Sequence, residues 1–72
     1  MIKNLSPLDY ETALKELLPK TRISFLTTSQ FFEFVVDEIL PKEGPDSWQL
    51  FRMRVKGNVW AVYPGDTITV FR

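Results

Sequence analysis

The sequence contains no cysteine and no histidine among its 72 residues. Without cysteine, no disulfide can stabilise the fold, and a structural zinc ion would have neither of its usual ligands. The nucleophile–base pairs of many covalent enzymes, Ser–His and Cys–His, are missing as well. We therefore predict a protein that is not an enzyme and that binds no metal and no cofactor.

Glycine is scarce, and long apolar runs are absent. The three glycines stand far apart, so the sequence has no phosphate-cradling loop. No segment has the length of a signal-peptide core or the ~20 apolar residues of a membrane span. We expect a cytoplasmic protein with no membrane contact, and its small size suggests a microbial or phage source.

The composition is that of a folded chain, with 44% hydrophobic and 25% charged residues. Its length predicts a single small domain over residues 1–72, because domains rarely fall much below this size. A core this small supplies only about 3–5 kcal/mol of net stability without a disulfide, a metal or a partner. Self-association as a homodimer is therefore one expected source of further stability.

The net charge is zero, but the charges are unevenly distributed. Residues 1–47 carry five basic and eight acidic side chains, a net charge of −3, whereas residues 48–72 carry four basic and one acidic, a net charge of +3. This asymmetry is mild, since a dedicated nucleic-acid-binding protein is usually more basic overall.

A first helix is indicated after Ser6, which is a good N-cap followed by Pro7 at the first helical position and Asp9 in the first turn. Pro19 marks the end of this helix. Apolar residues recur at helical spacing on one face of it: Tyr10, Ala13, Leu14, Leu17 and Leu18. The next segment, 22–26, reads either as a short strand or as an extended loop.

A second helix is predicted from Thr27 or Thr28 to Leu40, with Pro41 closing it. Its broad apolar face would contain Phe31, Phe32, Val35, Val36 and Ile39. Phe34 would lie outside that face, near Glu38, and the acids Glu33 and Asp37 would lie on the solvent side.

The last third of the chain predicts a meander of three strands. A two-residue turn at Gly57-Asn58 would pair Val55 with Trp60 and Met53 with Val62. An odd-length loop at Pro64-Gly65 would turn Ile68 and Val70 toward the core. The predicted fold class is therefore α+β, with two helices packed on one face of an antiparallel sheet of three strands, or four if 22–26 joins it.

The outer face of this predicted sheet carries basic and aromatic side chains. Arg52, Arg54 and Lys56 alternate along one strand, and Tyr63 is expected opposite Arg52. Cations and rings on an open sheet are what single-stranded nucleic acid requires. Alternating basic residues are also ordinary on a solvated strand, so nucleic-acid binding is the alternative hypothesis and not the leading one.

The leading hypothesis is a small non-enzymatic regulatory protein that binds a protein partner. The contact would use the second helix or the open sheet face, because surplus aromatic side chains at a surface often anchor protein interfaces. The candidate contact residues are Phe34, Glu38, Tyr63 and Phe71.

The closing stretch "FRMRVKGNVWAVYPGDTITVF" loosely resembles toxins of the RelE/ParE type. That resemblance implies a helical hairpin packed on an antiparallel sheet, and a ribonuclease that works without histidine-dependent chemistry. It would assign the active site to Arg52, Arg54, Lys56 and Tyr63.

Overall fold

The protein was analysed as a computed structural model that describes residues 2–71, which form one helix and seven strands. The strands make two antiparallel sheets, one in the order β1-β7-β2-β3 and one in the order β4-β5-β6. The predicted pair of helices on a single sheet is therefore wrong. The elements are β1 (Ile2–Asn4), α1 (Tyr10–Glu16), β2 (Thr21–Leu26), β3 (Phe31–Val36), β4 (Glu38–Leu40), β5 (Phe51–Val55), β6 (Asn58–Val62) and β7 (Thr67–Phe71).

The single helix begins later than predicted. Asp9, and not Ser6, is its N-cap, because the Asp9 carboxylate accepts the backbone N–H of Thr12 at 2.7 Å. The helix is only seven residues long. Ala13 and the C-cap Leu17 reach the core, whereas Leu14 is exposed. Within residues 2–71, no helix is long and apolar enough to cross a membrane.

The segment predicted as the second helix forms strands β3 and β4. Its apolar residues satisfy a helical period and an alternating period together, and β-branched and aromatic residues favour strands. Thr27, predicted as a helix cap, closes the β2–β3 turn instead. Its hydroxyl oxygen accepts the backbone N–H groups of Ser29 and Gln30, and its own N–H donates to the Gln30 carbonyl at 2.8 Å.

Asp37 lies where the chain leaves one sheet and enters the other. Its backbone N–H donates to the Arg54 carbonyl at 2.9 Å, just before β4 pairs with β5. Its carboxylate accepts the Lys20 ammonium at 2.7 Å and the Lys56 backbone N–H at 3.0 Å. One carboxylate thus ties the start of β2 and the β5–β6 turn to the β3–β4 bend.

The β5–β6 hairpin has a register two residues away from the predicted one. Val55 pairs with Asn58 and Met53 with Trp60, so the turn is Lys56-Gly57. Both turn residues have positive φ, 50° and 82°, as a type I′ turn requires. Because the error is an even number of residues, the division of side chains between the two faces is as predicted.

The final strand does not continue the meander. β7 lies between β1 and β2 in the other sheet, where Ile68 pairs with Phe25 and Val70 with Ile23. The turn before β7 redirects the chain, since Asp66 accepts the Tyr63 backbone N–H at 2.9 Å. Ile68 and Val70 are fully buried, as predicted, but in a different sheet.

The segment 22–26, which the sequence left open, is part of strand β2. The core lies between the inner faces of the two sheets, and α1 adds Ala13 and Leu17 to it. The largest fully buried side chains come from both sheets: Phe25, Phe51, Ile23, Met53, Ile68, Val36, Val62 and Val70.

Candidate functional site

The four-stranded sheet has one face turned away from the core, which we call the outer sheet face. Strand alternation and register place eleven side chains on it. They are Ile2 and Asn4 of β1, Thr67, Thr69 and Phe71 of β7, Arg22, Ser24 and Leu26 of β2, and Phe31, Glu33 and Val35 of β3.

Large apolar side chains are exposed at both ends of the outer sheet face. Leu26 is 47% exposed and its cross-strand neighbour Phe31 is 59% exposed. At the other end Ile2 is 68% exposed and Val35 39% exposed, and the half-buried Phe71 and the exposed Arg22 lie between them. No helix or strand of residues 2–71 packs over these side chains, so they meet solvent.

The polar side chains of the outer sheet face carry no net charge. The Thr69 hydroxyl donates to the Asn4 side-chain oxygen at 2.8 Å. The Arg22 guanidinium lies 3.6 Å from the Glu33 carboxylate and 5.8 Å from the centre of the Phe71 ring. These two opposite charges are the only ones that the register places on this face.

A second candidate surface is concave and lies between the ends of the two sheets; we call it the cleft. It encloses about 410 Å³, within the range of ligand-binding pockets. The β2–β3 turn, Thr27–Gln30, forms one wall, and Tyr63, Pro64 and Asp66 of the β6–β7 turn form another. Phe25, Phe32, Trp60 and Ala61 complete the lining.

The aromatic floor of the cleft continues into the core. The Phe32 and Trp60 rings are 4.9 Å apart, and Phe34 lies 5.5 Å from Trp60, both measured between ring centroids. Phe34 is therefore half-buried among aromatic rings, and the prediction that it points away from the core is wrong. It faces inward because it pairs with Ile23 in the β2–β3 register.

The polar groups of the cleft include one carboxylate and no cation. Asp66 accepts the Tyr63 backbone N–H through Oδ2, and Oδ1 has no donor among residues 2–71. The side chains of Thr28, Ser29 and Gln30 are exposed on the facing turn. Among residues 2–71, no lysine or arginine lines this surface.

The residues of the predicted basic stripe, Arg52, Arg54 and Lys56, line neither surface, although Arg52 pairs with Ala61 of the cleft. Arg54 makes an ion pair with Glu38 at 2.7 Å, and the Arg52 Nε–H donates to the Pro41 carbonyl at 2.9 Å. Lys56 is exposed in the β5–β6 turn. Tyr63 is not opposite Arg52, since Ala61 occupies that position.

The remaining candidate residues are therefore dispersed. Glu38 lies on the outside of the three-stranded sheet, Phe71 lies on the outer sheet face, and Tyr63 lines the cleft. The helical hairpin implied by the resemblance to RelE/ParE toxins is not found in residues 2–71, which contain one short helix.

The carboxylates of Asp9 and Asp37 have a perturbed acidity, and both have structural roles. The hydrogen bond from Lys20, followed by that from the Lys56 backbone, lowers the pKa of Asp37 below its ordinary value. The backbone N–H of Thr12 lowers the pKa of Asp9 in the same way. Within the described part of the chain, no three acidic side chains converge to hold a metal ion.

Sequence reasoning missed the cleft and one exposed aromatic residue. The cleft is built by two turns that are 33 or more positions apart in the chain, so no local pattern indicates it. Trp48 is 84% exposed in the loop between β4 and β5. The prolines around it predict the loop, but the position of the ring depends on contacts that periodicity does not describe.

Comparison of the chain with protein-family models, curated proteins and solved structures finds no match.

Proposed function

We propose that this chain is a small non-enzymatic interaction protein that binds a protein partner through the outer sheet face. The observation that carries the proposal is the pair of exposed apolar ends on that face, centred on Leu26 and Phe31 at one end. Contiguous exposed apolar side chains rimmed by polar ones are typical of protein contact sites.

The electrostatics of the outer sheet face support a protein partner over nucleic acid. Binding to a phosphate backbone needs several unpaired cations. The register places one arginine on this face, and its guanidinium is close to the Glu33 carboxylate. The basic residues Arg52 and Arg54 lie on the other sheet and already contact Pro41 and Glu38.

The non-enzymatic part of the proposal is supported by the sequence. The chain lacks cysteine and histidine, which provide most nucleophile–base pairs. Single-stranded nucleic-acid binding through Arg52, Arg54, Lys56 and Tyr63 is the alternative. It predicts a binding affinity that falls steeply with salt, which fluorescence anisotropy with labelled single-stranded DNA and RNA measures.

The experiment compares three baits in affinity enrichment from the native host. They are the wild-type chain, the double variant Leu26→Ser/Phe31→Ser, and the control Val59→Ser. Val59 is 50% exposed on the outside of the other sheet, so its substitution removes exposed apolar surface without touching the outer sheet face. Thermal unfolding verifies that all three baits are folded.

The proposal predicts that a specific protein is recovered with the wild type and the control, and that its recovery falls about tenfold or more with the double variant. Sedimentation of the purified chain distinguishes a second copy of itself from another partner. Recovery of the same proteins by the double variant, or of none by the wild type, would contradict the proposal.

A further inference from the structure

We infer that the cleft is a second binding site, whose ligand is an extended peptide segment with a lysine or arginine beside apolar residues. The cleft and the outer sheet face share no side chain. The inference therefore stands on its own observations and does not depend on the proposed function.

The apolar component of the ligand follows from the floor of the cleft. The half-buried Phe32 and Trp60 present aromatic surface there above the buried Phe25, and Tyr63 at the rim is 47% exposed. Aromatic side chains bury a large apolar area at low entropic cost, and they also attract cations to their faces. A volume of about 410 Å³ admits a few side chains of a peptide.

The positive charge of the ligand follows from the charge of the lining. Within residues 2–71, Asp66 is the single charged residue that lines the cleft, and its Oδ1 atom accepts no hydrogen bond from those residues. An ammonium or guanidinium group donates to such an oxygen with a charge-assisted hydrogen bond. An acidic peptide or a phosphate would instead meet a carboxylate with no compensating cation.

The extended conformation follows from strand β6. It is an edge strand, because β5 is its only neighbour in the sheet. Counting from the Lys56-Gly57 turn, residue pairs that exchange main-chain hydrogen bonds alternate with pairs that do not. Ala61 belongs to a pair that does not, so its N–H and C=O groups point away from β5. Since Ala61 lines the cleft, its N–H and C=O groups can pair with an added strand.

The probe is a library of random dodecapeptides displayed on phage and selected on the immobilised full chain. Selected peptides are synthesised, and their dissociation constants are measured by fluorescence with the Trp48→Phe variant. That substitution leaves Trp60 as the single tryptophan reporter, and it is mild because Trp48 is 84% exposed. Selection should enrich lysine or arginine next to apolar residues.

Asp66→Asn tests the charge, because asparagine keeps an oxygen for the Tyr63 N–H while removing the negative charge. We expect binding to weaken about five- to tenfold. The matched control is Asp46→Asn, which removes an exposed acid outside the cleft and should leave binding unchanged. Phe31→Ser should also leave it unchanged, which separates this site from the outer sheet face.

Several results would overturn the inference. In the selection, enrichment of no peptide, or of acidic or uncharged peptides, would do so. In the binding assay, an Asp66→Asn variant that binds the selected peptides as tightly as the wild type would do so as well. Oligothymidylate is the competing probe. If it quenches Trp60 and displaces the peptides, the cleft binds single-stranded nucleic acid instead. Tyr63→Ala, with folding verified by thermal unfolding, should weaken peptide binding independently of charge.

Discussion

Replacement of two adjacent valines by alanine distinguishes the strand from the helix that the sequence predicted. Val36 is fully buried and Val35 is 39% exposed, because strand alternation turns them to opposite faces. In the predicted helix both would lie on the core face. Val36→Ala removes two buried methyl groups, which costs about 1.6 kcal/mol in transfer free energy and reaches about 2–3 kcal/mol with the cavity term.

Val35→Ala is the matched control, since both substitutions lose the same strand propensity and the same side-chain volume. We expect Val36→Ala to lower the free energy of unfolding by about 1.5 kcal/mol more than Val35→Ala, or about 6–12 °C more in Tm. Urea unfolding followed by far-UV circular dichroism measures the difference.

Equal losses for the two valine variants would refute the alternation on which the sheet and its outer face depend. The total stability of so small a domain is a few kcal/mol, so Val36→Ala lies close to the unfolding threshold. Repeating both measurements with trimethylamine N-oxide stabilises the folded state of both variants and keeps the comparison measurable.

Two further predictions concern the bend and the turn. Hydrogen bonds from Lys20 and Lys56 lower the pKa of Asp37 in the folded state. The carboxylate therefore stabilises the fold at pH values above its ordinary pKa of 3.8. This stabilisation is lost as the pH falls through the lower folded-state pKa. Asp37→Asn should thus lower the urea midpoint at neutral pH, and the midpoint should depend less on pH in acid. An unchanged pH profile would contradict the stabilising role of the Asp37 carboxylate at the β3–β4 bend. Gly57→Ala should lower the free energy of unfolding by about 1–2 kcal/mol because φ is +82° there. The control Gly44→Ala, at a position without positive φ, should lower it much less. Equal losses would contradict the type I′ turn.

In the C-terminal region, alternation predicted which side chains of β5 and β6 face the core, although the turn itself lies at Lys56-Gly57 and not at Gly57-Asn58. Alternation assigned Phe51, Met53 and Val62 to the core, and all three are fully buried. Ile68 and Val70 are buried as predicted, but the predicted odd-length loop is wrong, because the loop 63–66 has four residues and β6 does not pair with β7. The assignments in β5 and β6 succeed because parity within a hairpin depends on neighbouring residues alone. Parity does not say which sheet a strand joins, so the partners of β7 could not be predicted.

The central segment shows where sequence patterns become ambiguous. Phe31, Phe32, Val35 and Val36 are spaced so that a helix and a strand each gather an apolar face. The helix would bury all four, while the strand buries one face and exposes Phe31. What decides between them is pairing with β2, a contact made across the hairpin. Thr27 serves either as a helix cap or as a turn residue, so it does not resolve the choice.

The outer sheet face and the cleft could not be predicted from local sequence patterns, for the same reason. The outer sheet face gathers residues from both ends of the chain, such as Ile2 and Phe71, and the cleft joins two distant turns. The basic stripe was visible in the sequence, but its cross-strand partners were not. Arg54 meets Glu38 because β4 pairs with β5, a strand pairing that the helical interpretation does not contain.

The most direct test of the two-sheet fold is a nuclear Overhauser spectrum of the isotopically labelled chain. The fold predicts cross-strand contacts between Phe25 and Phe32 and between Ile39 and Met53, with extended backbone through Phe31–Val36. Sequential amide–amide contacts through that segment, with contacts between residues three apart, would identify a helix. That result would contradict the two-sheet fold and remove both the outer sheet face and the cleft.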